Sequence, residues 1–160
     1  MRKALLVAVL LLVPVASAAA QAPLVPAATQ TQLLDLTSAF GKPELDYMPT
    51  TAPQHYELVN FGAGQNQINF TVADSRYPIA TKQERAIFFF FNGYNGSAKK
   101  CQTSKDGMTT VGKVKVYFEG YAAWRCVLAP NGKLVQLKAE SSIIARTTLA
   151  GIVAAIKRIK

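Results

Sequence analysis

Histidine occurs once and cysteine twice in the 160 residues, and Asp and Glu together number nine. Each scarcity removes a class of chemistry. His55 with Cys101 and Cys126 cannot assemble the usual four-ligand zinc centre. The two cysteines are not spaced as Cys-x-x-Cys, so the thioredoxin-type redox motif is absent. No Gly-x-Ser-x-Gly elbow and no metal-binding histidine pair occurs. Gly62-Ala63-Gly64 opens like a dinucleotide fingerprint, but Gln67 stands where the third glycine belongs. The stretch from Gln67 to Ala73 reads as a strand, whereas the fingerprint needs a helix N-terminus for the pyrophosphate. No cofactor and no metal is therefore expected. After the opening residues no stretch reaches about 18 uninterrupted apolar positions, the length of a spanning helix. Internal repeats and low-complexity tracts are lacking too.

The first twenty residues have the layout of a secretory signal peptide. Arg2 and Lys3 supply the positive start, residues 4–13 the apolar centre, and Pro14 its end. Ala18-Ala19-Ala20 offers small residues for cleavage before Gln21, with Ala16-Ser17-Ala18 as a second option. The expectation is export to a periplasm or the cell exterior, without a lipid anchor, since no cysteine stands after the cleavage region. The remaining residues are enough for one domain with a real core, 29–160, after a flexible leader at 21–28. Thiols of an exported chain meet an oxidising compartment, so Cys101 and Cys126 are expected to form a disulfide.

Charge is unevenly spread. The chain carries a formal +9, which falls to +7 without Arg2 and Lys3. Residues 21–74 hold a single base, Lys42, against five acids, whereas the rest holds fifteen bases against four. A basic half of this kind speaks to anionic partners and solubility, not to fold.

Hydrophobic periodicity then suggests elements. A short helix is expected from Thr29 or Thr31 to Phe40, with Leu33, Leu36 or Thr37, and Phe40 on one face and Gly41 as the stop. Strands are expected at 55–61, 67–73 and 84–92, the last containing Phe88, Phe89, Phe90 and Phe91 and covered on both faces. A short helix at 97–104 would carry Cys101. A strand at 113–119 sends Val114, Val116 and Phe118 inward and Lys113, Lys115, Tyr117 and Glu119 outward. Asn131-Gly132 marks a hairpin between 124–129 and 134–140. A four-residue turn would oppose Leu128 to Val135, Cys126 to Leu137, Trp124 to Ala139 and Arg125 to Lys138. The last helix, 145–159, presents Leu149, Ile152, Val153, Ile156 and Ile159 as one stripe and places Lys157, Arg158 and Lys160 in its final turn. The sum is an α+β fold: a mostly antiparallel sheet of five or six strands, with an N-terminal and a C-terminal helix packed on one face.

These patterns support three functional expectations. The first is a non-catalytic exported domain that binds an anionic polymer, a lipid headgroup or an envelope protein. Its binding face would hold Lys113, Lys115, Tyr117, Arg125 and Lys138, flanked by Lys99, Lys100 and Lys105. The second is a carrier whose cavity is lined by Phe88 to Phe91, Phe61 and Trp124. The third is a small hydrolase in which Asp46 or Glu57 assists His55. A Glu44–Asp46 glycosidase pair is a weaker variant. Asn69 and Asn95 also fit the glycosylation sequon.

Overall fold

Alternation along the strands is what assembles this molecule. In the computed structural model, which describes residues 22–78 and 83–159, seven strands form one antiparallel sheet. The chain runs α1 (Ala27–Ala39), a 3-10 turn (Pro43–Leu45), β1 (Tyr47–Met48), β2 (Tyr56–Ala63), β3 (Gln67–Asp74), a 3-10 turn (Gln83–Arg85) and β4 (Ala86–Gly93). It continues as α2 (Ala98–Cys101), β5 (Met108–Val111), β6 (Val114–Glu119), β7 (Ala122–Leu128), β8 (Leu134–Glu140), α3 (Arg146–Ala155) and β9 (Lys157–Arg158). The large sheet has the order β2-β3-β4-β8-β7-β6-β5, and β1 pairs with β9 in a separate two-stranded ribbon. The α+β expectation holds. The sheet also gains β5, a segment to which the sequence pattern assigns no element.

Odd and even positions of each strand divide between two environments. Ile68, Phe70 and Val72 of β3, Ile87, Phe89 and Phe91 of β4, and Val135, Leu137 and Ala139 of β8 are buried on one face. They share one core with Leu33 of α1 and with Leu149, Ile152 and Val153 of α3. Phe70 and Phe91 stand 5.6 Å apart between ring centres, and Phe89 and Phe91 6.3 Å. Phe88 and Phe90 point the other way and are half-buried.

The hairpin corrects the expected register. Leu128 opposes Leu134, Val127 opposes Val135, Cys126 opposes Gln136, Arg125 opposes Leu137 and Trp124 opposes Lys138. The loop has five residues, not four: Ala129 N–H donates to the Lys133 carbonyl (2.8 Å) and Gly132 N–H to the Ala129 carbonyl (2.9 Å). Gly132 supplies the positive φ, 79°, that this closure needs. One extra loop residue exchanges the faces of β7 relative to β8. Ala123, Arg125 and Val127 therefore turn to the α3 side, while Trp124 and Cys126 turn outward. The expected Arg125–Lys138 like-charge pair does not exist.

Trp124 is nonetheless buried, because the outer face is covered locally. Its ring lies 6.1 Å from that of Tyr117, and its indole N–H donates to the Cys101 carbonyl (2.9 Å). Cys101 and Cys126 form the expected disulfide across 25 residues. That bond holds α2 against β7, where Tyr117 and Trp124 are buried.

The chain ends differ from expectation. Val25 is buried and Ala27 opens α1, so residues 21–28 are only partly a leader. Phe40 is exposed at the end of that helix. Helix α3 stops at Ala155, four residues early. Thr50 Oγ1 donates to the Ala155 carbonyl (2.6 Å), and Lys157 and Arg158 pair with Met48 and Tyr47 as strand. Ile156 and Ile159 stay buried although the helix has ended. The expected signal peptide and its cleavage site, like Lys160, lie outside the described residues. Among the described residues no helix is long and apolar enough to cross a membrane.

Candidate functional site

Helix α2 is too short to stand alone, and three local devices hold it. Ser97 Oγ accepts the Lys100 amide (3.3 Å) at its start. The disulfide and the Trp124 indole anchor its end. Lys99 and Lys100 project from it into solvent. Close by, Lys113 just before β6 and Lys115 within it are both exposed. A shallow cavity of about 260 Å³ lies between the two elements, bounded by Gln102 from the end of α2 and by Lys113, Lys115, Tyr117 and Cys126.

The predicted basic face is therefore partly assembled and partly dispersed. Lys115, Tyr117 and Lys138 share the outer face, as alternation requires. Tyr117 is buried against Trp124 and offers little surface for stacking. Lys138 is paired with Glu140 of its own strand, and Lys105 reaches Glu119 at 3.4 Å. Arg125 contributes to the cavity wall, but its guanidinium donates to the Ile156 carbonyl on the α3 side. Burial pushes its pKa down, with the nearby Tyr47 opposing that shift. Its Nε is buried without a hydrogen-bond partner. Arg125 is thus an internal cation, not a surface ligand. Lys99, Lys100, Lys113 and Lys115 remain, and among the described residues no ion pair to a carboxylate involves any of them.

Of the hydrolase residues, His55 and Glu57 border one cavity, and Asp46 is engaged elsewhere. His55 is exposed and sits at φ 70°, a left-handed turn in which its carbonyl accepts the Ser75 amide (2.8 Å). It borders an open cavity of about 770 Å³ together with Tyr56, Glu57 and Ser75. Asp46, the proposed helper, is buried and accepts from Thr37 Oγ1, with Arg158 at 3.8 Å. Another carboxylate on this side is Asp74, whose neighbour Ser75 lines the same cavity. Asp74 is locked in a two-pronged contact with Arg76, at 2.9 Å from Nε and 2.6 Å from Nη2. Those hydrogen bonds hold its pKa near 2, so it is a poor proton acceptor. Glu44 is likewise engaged elsewhere, by Lys133 (2.9 Å) and Asn131 (3.1 Å), and forms no pair with Asp46. The carrier residues are divided as well: Phe61, Phe89 and Phe91 belong to the inner face, Phe88, Phe90 and Trp124 to the outer.

Asp74 has a measurable consequence. Its folded-state pKa lies below the ordinary 3.8, so the Arg76 pair stabilises the fold above that pH and loses its effect as pH falls through about 2. The pKa of Glu44 is also lowered; burial alone would raise it, but the Lys133, backbone and Asn131 hydrogen bonds outweigh burial. Melting temperature should fall from about pH 5 towards pH 2, and Asp74→Asn should flatten part of that fall. Melts of the variant that track the unsubstituted protein across this range would show the pair to be without effect.

Asn69 is half-buried within β3, whereas Asn95 is exposed in the loop before α2. Among the described residues no group of three or more His, Cys, Asp or Glu side chains is placed to hold a metal ion. No protein-family model matches the chain, and no curated protein or solved structure resembles it closely enough to count as a match.

Proposed function

We propose that this is an exported, non-catalytic binding domain that docks an anionic polymer on the lysine-rimmed cleft between α2 and β6. One observation carries the reading. Lys99 and Lys100 on a helix fixed by a disulfide, and Lys113 and Lys115 at β6, are all exposed, and among the described residues no ion pair to an acid involves any of them. Exposed like charges are hydrated and screened by small ions, and a polyanion that meets several of them at once gains by releasing its own condensed counterions. The export half rests on the charged and then apolar opening of the chain and on the disulfide. Recovery of a mature chain beginning near Gln21 from outside the cytosol checks it.

Binding of a labelled single-stranded oligonucleotide, used as a generic polyanion, is measured by anisotropy across a salt series. Four lysine–phosphate contacts give a slope of log K against log salt near −3. The Lys113→Ala/Lys115→Ala pair should bring it roughly halfway to zero. Affinity that is flat with salt, or undiminished when all four lysines are replaced, removes this reading. In the same assay Arg125→Gln should leave the slope unchanged, because the guanidinium lies on the other side of the sheet.

A further inference from the structure

Another polar cleft lies where the turns gather at one end of the sheet. The β2–β3 hairpin, the end of β4, the β7–β8 loop and the 3-10 turn before β1 enclose about 450 Å³. Lys42, Glu44, Asn66, Tyr94, Asn95 and Lys133 line it. The carboxylate of Glu44 is only 2% exposed, and it grips two groups of the hairpin loop: Lys133 Nζ at 2.9 Å and Asn131 Nδ2 at 3.1 Å. This contact crosses 89 residues of sequence and fixes an ammonium at the mouth of the cleft. Lys133 keeps two of its three N–H donors for other partners, and its side chain is 55% exposed.

The wall opposite is aromatic. Tyr94 is half-buried, and its ring lies directly over Gly96. A Cβ on residue 96 would stand 2.5 Å from Tyr94 Cε1, so only glycine leaves room for the ring in this position. Gly96 does not have a left-handed backbone, so it is the space for the ring, and not the turn, that calls for glycine here.

We infer that this cleft binds an oligosaccharide. A sugar presents an apolar C–H face and a rim of hydroxyls. An aromatic ring suits the first; fixed amide and ammonium groups suit the second, since hydroxyls both accept and donate. Asn66 and Asn95 supply amides, Lys133 a held ammonium and Tyr94 the ring. Glu44 is a positioning residue, for it orders Lys133 and Asn131 from beneath. An apolar ligand would find too many polar groups here. The sugar cleft shares no residue with the lysine cleft, so either can fail without the other.

The test is a titration of the ¹⁵N-labelled protein, followed by amide chemical shifts. The probes are a neutral N-acetylhexosamine oligomer and a uronate-bearing oligosaccharide. Either sugar is expected to shift amides at 93–96 and 132–134. Tyr94→Ala should weaken that binding about tenfold. Gly96→Ala should do so comparably, because it displaces the ring while leaving every polar group in place. Thermal melts of both variants close to the parent's confirm that the fold is intact. The inference is overturned if neither sugar shifts those amides, or if both variants bind as the parent does. Shifts confined to α2 and β6 overturn it too, by assigning the sugar to the lysine cleft.

Discussion

Replacing Phe89 by alanine is expected to lower the unfolding free energy by about 3–5 kcal/mol, the range for deleting a fully buried aromatic ring. Strand β4 is flanked by β3 and β8, and Phe89 is opposed by Phe70 on one side and Ala139 on the other. It is 0% exposed, and its ring meets that of Phe91. No neighbour is free to collapse into the space, since Phe70, Phe91 and Leu137 are themselves fully enclosed. Against a typical domain stability of about 5–15 kcal/mol this is a large fraction. Phe88→Ala is the control. That side chain lies on the other face and is half-buried, so its loss should be clearly smaller. Urea unfolding with an unchanged m-value reads the difference. An equal or larger loss for Phe88 would mean that the faces of β4 are assigned the wrong way round.

Opening the disulfide should have an effect of similar size. The bond closes a segment of 25 residues that includes β5 and β6, and the loop-entropy estimate gives about 3–4 kcal/mol. For a domain of this length that is a fall in melting temperature on the order of 10 °C. The Cys101→Ser/Cys126→Ser protein, or the reduced form, should show it by calorimetry. Binding should suffer as well. Helix α2 has only four residues, and without the bond little beyond the Ser97 cap and the Trp124 contact keeps it, with Lys99 and Lys100, against β7. A reduced protein that melts with the oxidised one would remove both the stabilising role and the argument that α2 is a fixed scaffold.

Much of the layered plan was legible because it rests on local patterns. Ile68, Phe70 and Val72 alternate cleanly, the phenylalanine run sends neighbours to opposite faces, and Gly41 ends α1 with a φ of 62°. What escaped depends on distant partners. Asn131-Gly132 announces that the chain reverses, but loop length decides the register. Glu44, 87 residues earlier, holds Asn131 in the five-residue closure. Strand β5 has four residues between Gly107 and Gly112, too few to show a period, and becomes a strand only beside β6.

The same division runs through the candidate site. Lys113 and Lys115 could be placed by alternation, and Lys138 shared their face as expected. Its neutralisation by Glu140 was readable too, for residues two apart on a strand lie side by side. Arg125 went astray with the hairpin register. The turn-end cleft draws on four separated segments, and no single stretch of sequence announces it.

The inward turn of Arg125 bears on how helix α3 ends. Its guanidinium takes the Ile156 carbonyl while Thr50 takes that of Ala155. Neither residue is near the helix in sequence, and the apolar stripe alone would carry the spiral on to Ile159. The stop is written from across the core: the pleated layer and the β1–β2 connection together decide how long the helix is, and so release the final residues to knit themselves to Tyr47 and Met48.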